Sequence, residues 1–360
     1  MNDRSPVLSN PAAESAPAAA RSPFFSVTIT AYNRRTYLAR AIDSVLRQTI
    51  DRSEYEIIVV KNFEDPEADR RIRGHGLVGI RRDEQPLGIH LKAALDVARG
   101  EVMAFLNDDD LWVPSKLAEA RDRFTERPRL GLYATSYATI DENDRPRPIA
   151  RDRFSGYDRF ARNPGARFEA GPSISAAQLA AFLKANPGSD STVAIRTSIL
   201  HRFSRELETL PSSVDTFLLT CGLLSGLDLL IEYVPSTLLR VHPENMSRAT
   251  DESMESYLAK YARSMGGFAS AHAHLMAMAN ANDHPALYAW LYGRHRSLDH
   301  FASMARGELT RGRAFRALAE DVPRVGTRSP GLLASEALTV LSPSLSRTVN
   351  FLVGRRIAGA

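Results

Sequence analysis

Between positions 25 and 106, short apolar runs alternate with helical patterns, and this restricts the chain more than any other feature. FSVTIT (25–30) and EIIVV (56–60) read as strands, with a third over 77–81 and a fourth over 102–106. Leu38, Ala41, Ile42, Val45 and Leu46 fall on one helical face, for which Asn33 or Thr36 can serve as the cap. A second helix is expected over 89–98, with Gly100 as its stop signal. Strands joined by helical crossovers make a parallel sheet covered on both faces. This half is α/β.

Beyond position 129 the alternation stops. LGLYATSYATI (130–140) reads as a strand, and 141–175 as a polar functional loop with Pro146, Pro148, Pro164 and Pro172. Short strands over 191–195 and 229–234 bracket a helix over 215–224, and 253–319 is Ala/Met/Leu-rich and helical. Hydrophobic residues at 44% and charged residues at 24% describe an ordinary globular chain. The net charge of +4 is too small to argue for a nucleic-acid partner. The basic excess lies in 323–360, where Arg324, Arg328, Arg347, Arg355 and Arg356 face one acid, Glu336. A lone Cys221 allows no internal disulfide and gives no sign of an oxidising compartment.

No run reaches the ~18 apolar residues of a membrane span. Residues 1–23 are Ala/Pro/Ser-rich without the apolar centre of a signal peptide, so a disordered leader and a cytoplasmic location are expected. LLASEALTVL and LSRTVNFLVGRRI in the tail, interrupted by Pro343, suit either packing on the protein's own body or peripheral contact at the inner face of a membrane.

Polar clusters close three of the strands, at 30–34, 61–65 and 107–110, where an open parallel sheet binds its ligands. Asp108, Asp109 and Asp110 directly after a buried strand repel one another unless a cation holds them, and Mg²⁺ or Mn²⁺ takes such oxygen ligands. Neither a GxGxxG nor a GxxxxGK[ST] follows the first strand. His272 and His274 stand ~200° apart on a helix and do not converge on a metal.

The stretches VTITAYNRRTYLARAIDSVLRQT, EIIVV, ARGEVMAFLNDDDLWVPSKL, SVDTFLLTCGLLSG and YVPSTLLRVHPENMS, in this order, resemble the family 2 glycosyltransferases. These are inverting enzymes with the nucleotide-diphosphosugar GT-A fold, and the resemblance covers about residues 25–247. It implies an α/β GT-A domain with a mixed, mostly parallel sheet flanked by helices, followed here by a C-terminal helical extension. The nucleotide-sugar half would span 24–125, the acceptor and base half 126–247, the extension 248–322, and the basic tail 323–360.

The resemblance also implies roles. Asp109 is the expected Mn²⁺ or Mg²⁺ ligand, with His242 as a second ligand or a diphosphate contact, and Arg240, Asn245 and Ser247 in the same motif. Asp215 is the expected general base; capping its own helix is the plainer role open to it. Thr30, Tyr32, Asn33, Arg34, Lys61, Asn62, Lys92, Asn107, Asp108 and Asp110 are the expected contacts to the donor. Lys92 also reads simply as a solvated helix residue.

Three positions depart from the pattern. Asn107 replaces the first aspartate of the acidic motif, and Lys61 and Asn62 stand where two aspartates are usual, which loosens the expectation of uracil. The implied partners are a nucleotide-diphosphosugar, a UDP-sugar first, and a glycan, lipid-linked or small-molecule acceptor, without nucleic acid. A non-catalytic nucleotide-sugar-binding subunit is the alternative. Polysaccharide building is the setting the family suggests.

Overall fold

The computed structural model describes residues 22–83, 86–147, 163–242, 245, 253–321 and 330–358. The first half forms β1 (Phe25–Ala31), α1 (Leu38–Leu46), β2 (Tyr55–Lys61), α2 (Pro66–Gly74), β3 (Val78–Arg81), α3 (Leu87–Leu95) and β4 (Val102–Asn107). Its strands lie in the order β3-β2-β1-β4, all parallel. The uninterrupted apolar run of β2 is explained by its two buried faces. Ile57 and Val59 pack with Leu38, Ile42 and Val45 of α1, whereas Ile58 and Val60 pack with Leu91 and Leu95 of α3.

The chain continues as β5 (Leu111–Trp112), α4 (Lys116–Glu126), β6 (Leu130–Ile140), β7 (Pro146–Arg147), β8 (Arg167–Ala170), α5 (Ala176–Ala185) and β9 (Val193–Arg196). Then come α6 (Thr197–Arg202), α7 (Ser204–Leu207), α8 (Val214–Leu224) and β10 (Asp228–Arg240). The sheet extends from β4 as β9-β6-β10-β5, with β7 on β6 and β8 on β10. β9 runs antiparallel to both β4 and β6, while β6 and β10 are parallel. The start of β9 therefore lies at the same sheet edge as the ends of β1, β2 and β4.

Several boundaries differ from the sequence expectation. α1 begins after Tyr37, which makes no side-chain cap, because Asn33 and Asn62 are hydrogen-bonded to each other. α3 ends at Leu95, so Gly100 does not stop it. Gly100 instead lies where a Cβ would meet the Ser26 nitrogen at 2.4 Å, and its N–H donates to Ser26 Oγ. The segment 191–195 opens as a single 3₁₀ turn (Asp190–Thr192) before β9. β10 runs six residues beyond the expected end, because register shifts beside Pro235 accommodate the missing N–H. The expected 141–175 loop contains β7 and β8; its part from 148 to 162 lies outside the described residues.

The extension forms α9 (Met254–Ala279), α10 (Pro285–Arg306), α11 (Arg311–Asp321), α12 (Pro330–Leu341) and α13 (Pro343–Ala358). Leu275 and Ala279 of α9 and Leu287 and Leu291 of α10 share one buried cluster with Phe217 and Leu218 of α8. The hairpin is thus fused to the core beneath α8. Pro343 opens α13 at a position where no N–H is needed, so the tail forms two helices. They are tied by Thr339 Oγ1 to Ser346 Oγ (2.9 Å), while Leu341, Leu345 and Leu352 stay exposed. No helix among the described residues is long and apolar enough to cross a membrane.

Candidate active site

The acidic run lies at the end of β4, beside the end of β1. Thr30 and Asn107 are register partners, and the Asp108 N–H donates to the Thr30 carbonyl. The strands reverse here, β2 and β3 lying on one side of β1 and β4 on the other, which places a ligand crevice outside their carboxyl ends.

The three aspartates have separate jobs. Asp110 is sealed: it accepts from Ser191 Oγ at 2.6 Å and from the Arg240 N–H at 3.0 Å. Burial and the adjacent Asp109 charge push its pKa well up. Asp108 accepts a two-pronged contact from Arg34, Nη2 at 2.6 Å and Nε at 3.1 Å. Arg34 Nη2 also reaches Asp109 Oδ2 at 2.8 Å.

Asp109 Oδ2 further contacts His242 Nε2 at 3.1 Å and Asn245 Nδ2 at 3.3 Å. Burial would raise the Asp109 pKa, but the His242 hydrogen bond and the Arg34 charge outweigh it and hold the carboxyl below its usual range. Asp109 is therefore the member of the run whose ionised form is most favoured. No group of three or more His, Cys, Asp or Glu side chains converges on a metal position among the described residues. A carboxylate oxygen and an imidazole nitrogen 3.1 Å apart nevertheless fit a cation whose other ligands are phosphate oxygens and water.

Arg240 frames this pair from below. Its guanidinium, fully buried, donates to the Asp109 carbonyl (2.7 Å) and the Asp141 carbonyl (2.9 Å) and pairs with Asp144 (2.5 Å). It lies over the Tyr37 ring at 4.6 Å, and Tyr37 in turn packs on His242 at 4.9 Å. Asp144 adopts φ 66° in the turn between β6 and β7. Ser247 lies outside the described residues.

Asp215 is in the first turn of α8, whose N-cap is Ser213 at φ 57°; the expectation that Asp215 caps the helix is corrected. Its carboxyl is half-buried, with Thr216 Oγ1 at 3.4 Å. Burial raises its pKa, against which the Arg294 charge on α10 acts. Asp190, which sequence reasoning missed, stands in the turn before β9 and accepts from Asn107 Nδ2 at 2.7 Å. Burial and the Asp215 charge push it up to about 6.

The other predicted contacts are engaged with partners outside the acidic run. Lys61 is buried, bonded to the Phe63 carbonyl (2.7 Å) and paired with Asp69 (3.1 Å). Lys92 pairs with Asp96 on the surface of α3 at 2.6 Å. Asn33, at φ 55°, and Asn62 hold each other through a bond of 2.7 Å, and the Tyr32 ring lies 5.8 Å from His90. His272 Nδ1–H donates to the Phe268 carbonyl, 2.8 Å away, on α9.

Residues 26–180 match the family described as Glycosyl transferase family 2. This segment of the chain is similar to the family 2 glycosyltransferases. The Bacillus subtilis protein CgeD is 26% identical over 137 residues, which is 35% of this chain and 32% of CgeD. An uncharacterized glycosyltransferase of Nostoc sp. is 35% identical over 126 residues, 33% of this chain and 38% of that protein. The chain thus aligns with about a third of the length of these curated relatives. In fold the likeness runs further: residues 1–349 of S. aureus TarS superpose with a TM-score of 0.52 at 15% identity, over 93% of this chain and 90% of that one. The shared fold is a GT-A mixed sheet followed by C-terminal helices.

Proposed function

We propose that the protein is an inverting glycosyltransferase that moves a sugar from a nucleotide-diphosphosugar, a UDP-sugar first, to an acceptor hydroxyl. The observation that carries this reading is a division of labour along one sheet edge. Ionised Asp109 with His242 and Arg34 forms one end of the crevice, and Asp215, a carboxyl with a raised pKa, stands on a different element.

Asp215 takes the proton of the acceptor hydroxyl as that oxygen attacks the anomeric carbon from the face opposite the diphosphate. A base whose pKa is raised toward the working pH is suited to this, and such a group contributes about 10²–10⁴-fold. The bond to the diphosphate breaks in the same displacement, so no covalent enzyme intermediate is required. Arg34 holds Asp108 through Nε and one Nη2 N–H, and the other Nη2 N–H, now facing Asp109, can serve a phosphate oxygen once Asp109 holds a cation. When bound, Mn²⁺ or Mg²⁺ would be held by Asp109 and His242 and would neutralise charge on the leaving diphosphate. The exposed Leu341, Leu345 and Leu352 of the tail support peripheral contact with a membrane, which suits a lipid-linked acceptor.

The test is nucleotide release from UDP-, GDP-, dTDP- and CDP-sugars with Mn²⁺ or Mg²⁺, with and without EDTA, for wild type, Asp109→Ala and Asp215→Asn. Release from one donor, lost in both variants and in EDTA, is expected. If the donor binds by calorimetry but no acceptor extract supports release, the non-catalytic subunit reading replaces this one. If no donor binds, both readings fall.

A further inference from the structure

The departure of Asn107 from the acidic motif has a structural counterpart. Its amide group is spoken for on both sides: Oδ1 faces Thr30 Oγ1 at 3.5 Å, and Nδ2 donates to Asp190 Oδ1 at 2.7 Å. An aspartate at 107 would set two carboxylates against each other at that distance, where both cannot stay ionised. Asp190 is brought there by topology. β9 enters antiparallel between β4 and β6, so the turn that precedes it reaches the crevice, and Ser191 fixes that turn by accepting from the Asn107 N–H (3.0 Å) and donating to Asp110.

Asp190 makes no other side-chain hydrogen bond among the described residues, and it stays partly open while lying deep in the protein. It is also within electrostatic reach of both Asp109 and Asp215. In a displacement between a diphosphate and a base, the group lying between those two ends is the sugar being transferred. We infer that Asp190, oriented by Asn107, is the carboxylate that accepts a hydroxyl of the transferred sugar, and so sets which sugars are used. This rests on the glycosyltransferase reading above. An ionised carboxylate only accepts hydrogen bonds, and a sugar hydroxyl can donate one to its remaining lone pairs.

Three variants test the assignment: Asp190→Asn, Asn107→Asp, and the double Asn107→Asp/Asp190→Asn. For each, calorimetry gives the Kd of the bare nucleoside diphosphate, and steady-state rates give KM and kcat for the intact nucleotide-sugar. Asp190→Asn is expected to raise the nucleotide-sugar KM about 10- to 100-fold, the range for a lost hydrogen bond to a charged group. The nucleoside diphosphate Kd should stay within about twofold.

The double variant rebuilds the bond between the two positions with donor and acceptor exchanged. It is expected to recover the melting temperature lost by Asn107→Asp but to keep the raised KM. Recovery of the KM in the double variant would mean that Asp190 only braces Asn107, and an unchanged KM in Asp190→Asn would mean that it faces no sugar. Either result overturns the assignment while wild-type transfer leaves the glycosyltransferase reading intact. A wild type that binds no nucleotide-sugar overturns both.

Discussion

Replacing Arg240 with methionine isolates the contact that holds the acidic run in place. The guanidinium is fully buried and satisfies the carbonyls of Asp109 and Asp141. Each carbonyl left without a partner costs about 1–3 kcal/mol. The ion pair adds less, because Asp144 is 37% exposed and solvent screens it; about 1 kcal/mol is the ceiling for such a pair. The sum, about 2–7 kcal/mol, brackets the loss of about 3–5 kcal/mol seen when one partner of a buried pair is removed. Against a total stability of about 5–15 kcal/mol this is a large fraction.

Urea titration followed by tryptophan fluorescence and circular dichroism would measure it, and at a slope of about 1–3 kcal/mol per molar the midpoint should fall by about 1 M or more. Asp144→Asn keeps an acceptor oxygen at the turn and should cost under about 1 kcal/mol. Equal losses in the two variants, or a loss in Arg240→Met below 1 kcal/mol, would refute the view that Arg240 acts by anchoring those two carbonyls.

Three further outcomes are expected. Gly100→Ala puts a methyl 2.4 Å from the Ser26 nitrogen and should destabilise by about 1–3 kcal/mol, read as a lowered melting temperature. Arg294→Gln removes a charge that lowers the Asp215 pKa, so the acid limb of the kcat–pH profile should move to higher pH; a shift the other way would deny the contact. Lys116 is fully buried between Thr135 and Ser236, and burial pulls its pKa down to about 7. The unfolded chain then holds the extra proton between about pH 7 and 10, so this residue makes stability rise with pH across that window, by at most ~1.4 kcal/mol per unit. Lys116→Met should remove that slope, which urea midpoints at pH 7, 8 and 9 would show.

The parallel half was readable because its strands are short, apolar and separated by helical patterns, and the ends of β1, β2 and β4 fell within one or two residues of expectation. The acidic run stood out because a buried strand precedes its three carboxylates and LWVPSKL follows them, a setting that a solvated acidic turn suits poorly. What the sequence hid depends on distant contacts. Asp190 sits in a polar GSDS stretch that looks like any loop, and only the antiparallel insertion of β9 carries it to Asn107. Asp144 likewise reads as a turn residue until β10 delivers Arg240 to it. The cap of α1 was misread because Asn33, a good cap by type, is engaged by Asn62 from another strand end. Local propensity cannot see such competition.

The position of β9 also bears on how the chain is made. It is synthesised after β6 yet lies between β4 and β6, and it is the strand through which the two parallel blocks of the sheet are joined. Until it arrives, the facing sides of β4 and β6 are open edges, each a template for pairing with another chain. A nascent chain that has not yet delivered residue 193 therefore holds a finished four-stranded block, β6 paired with β7 alone, and no crevice. Such late, non-local closure is slow and exposes the intermediate to aggregation. Yield during expression at elevated temperature, more than the stability of the finished fold, is where substitutions in the short segment Val193–Arg196 will be felt.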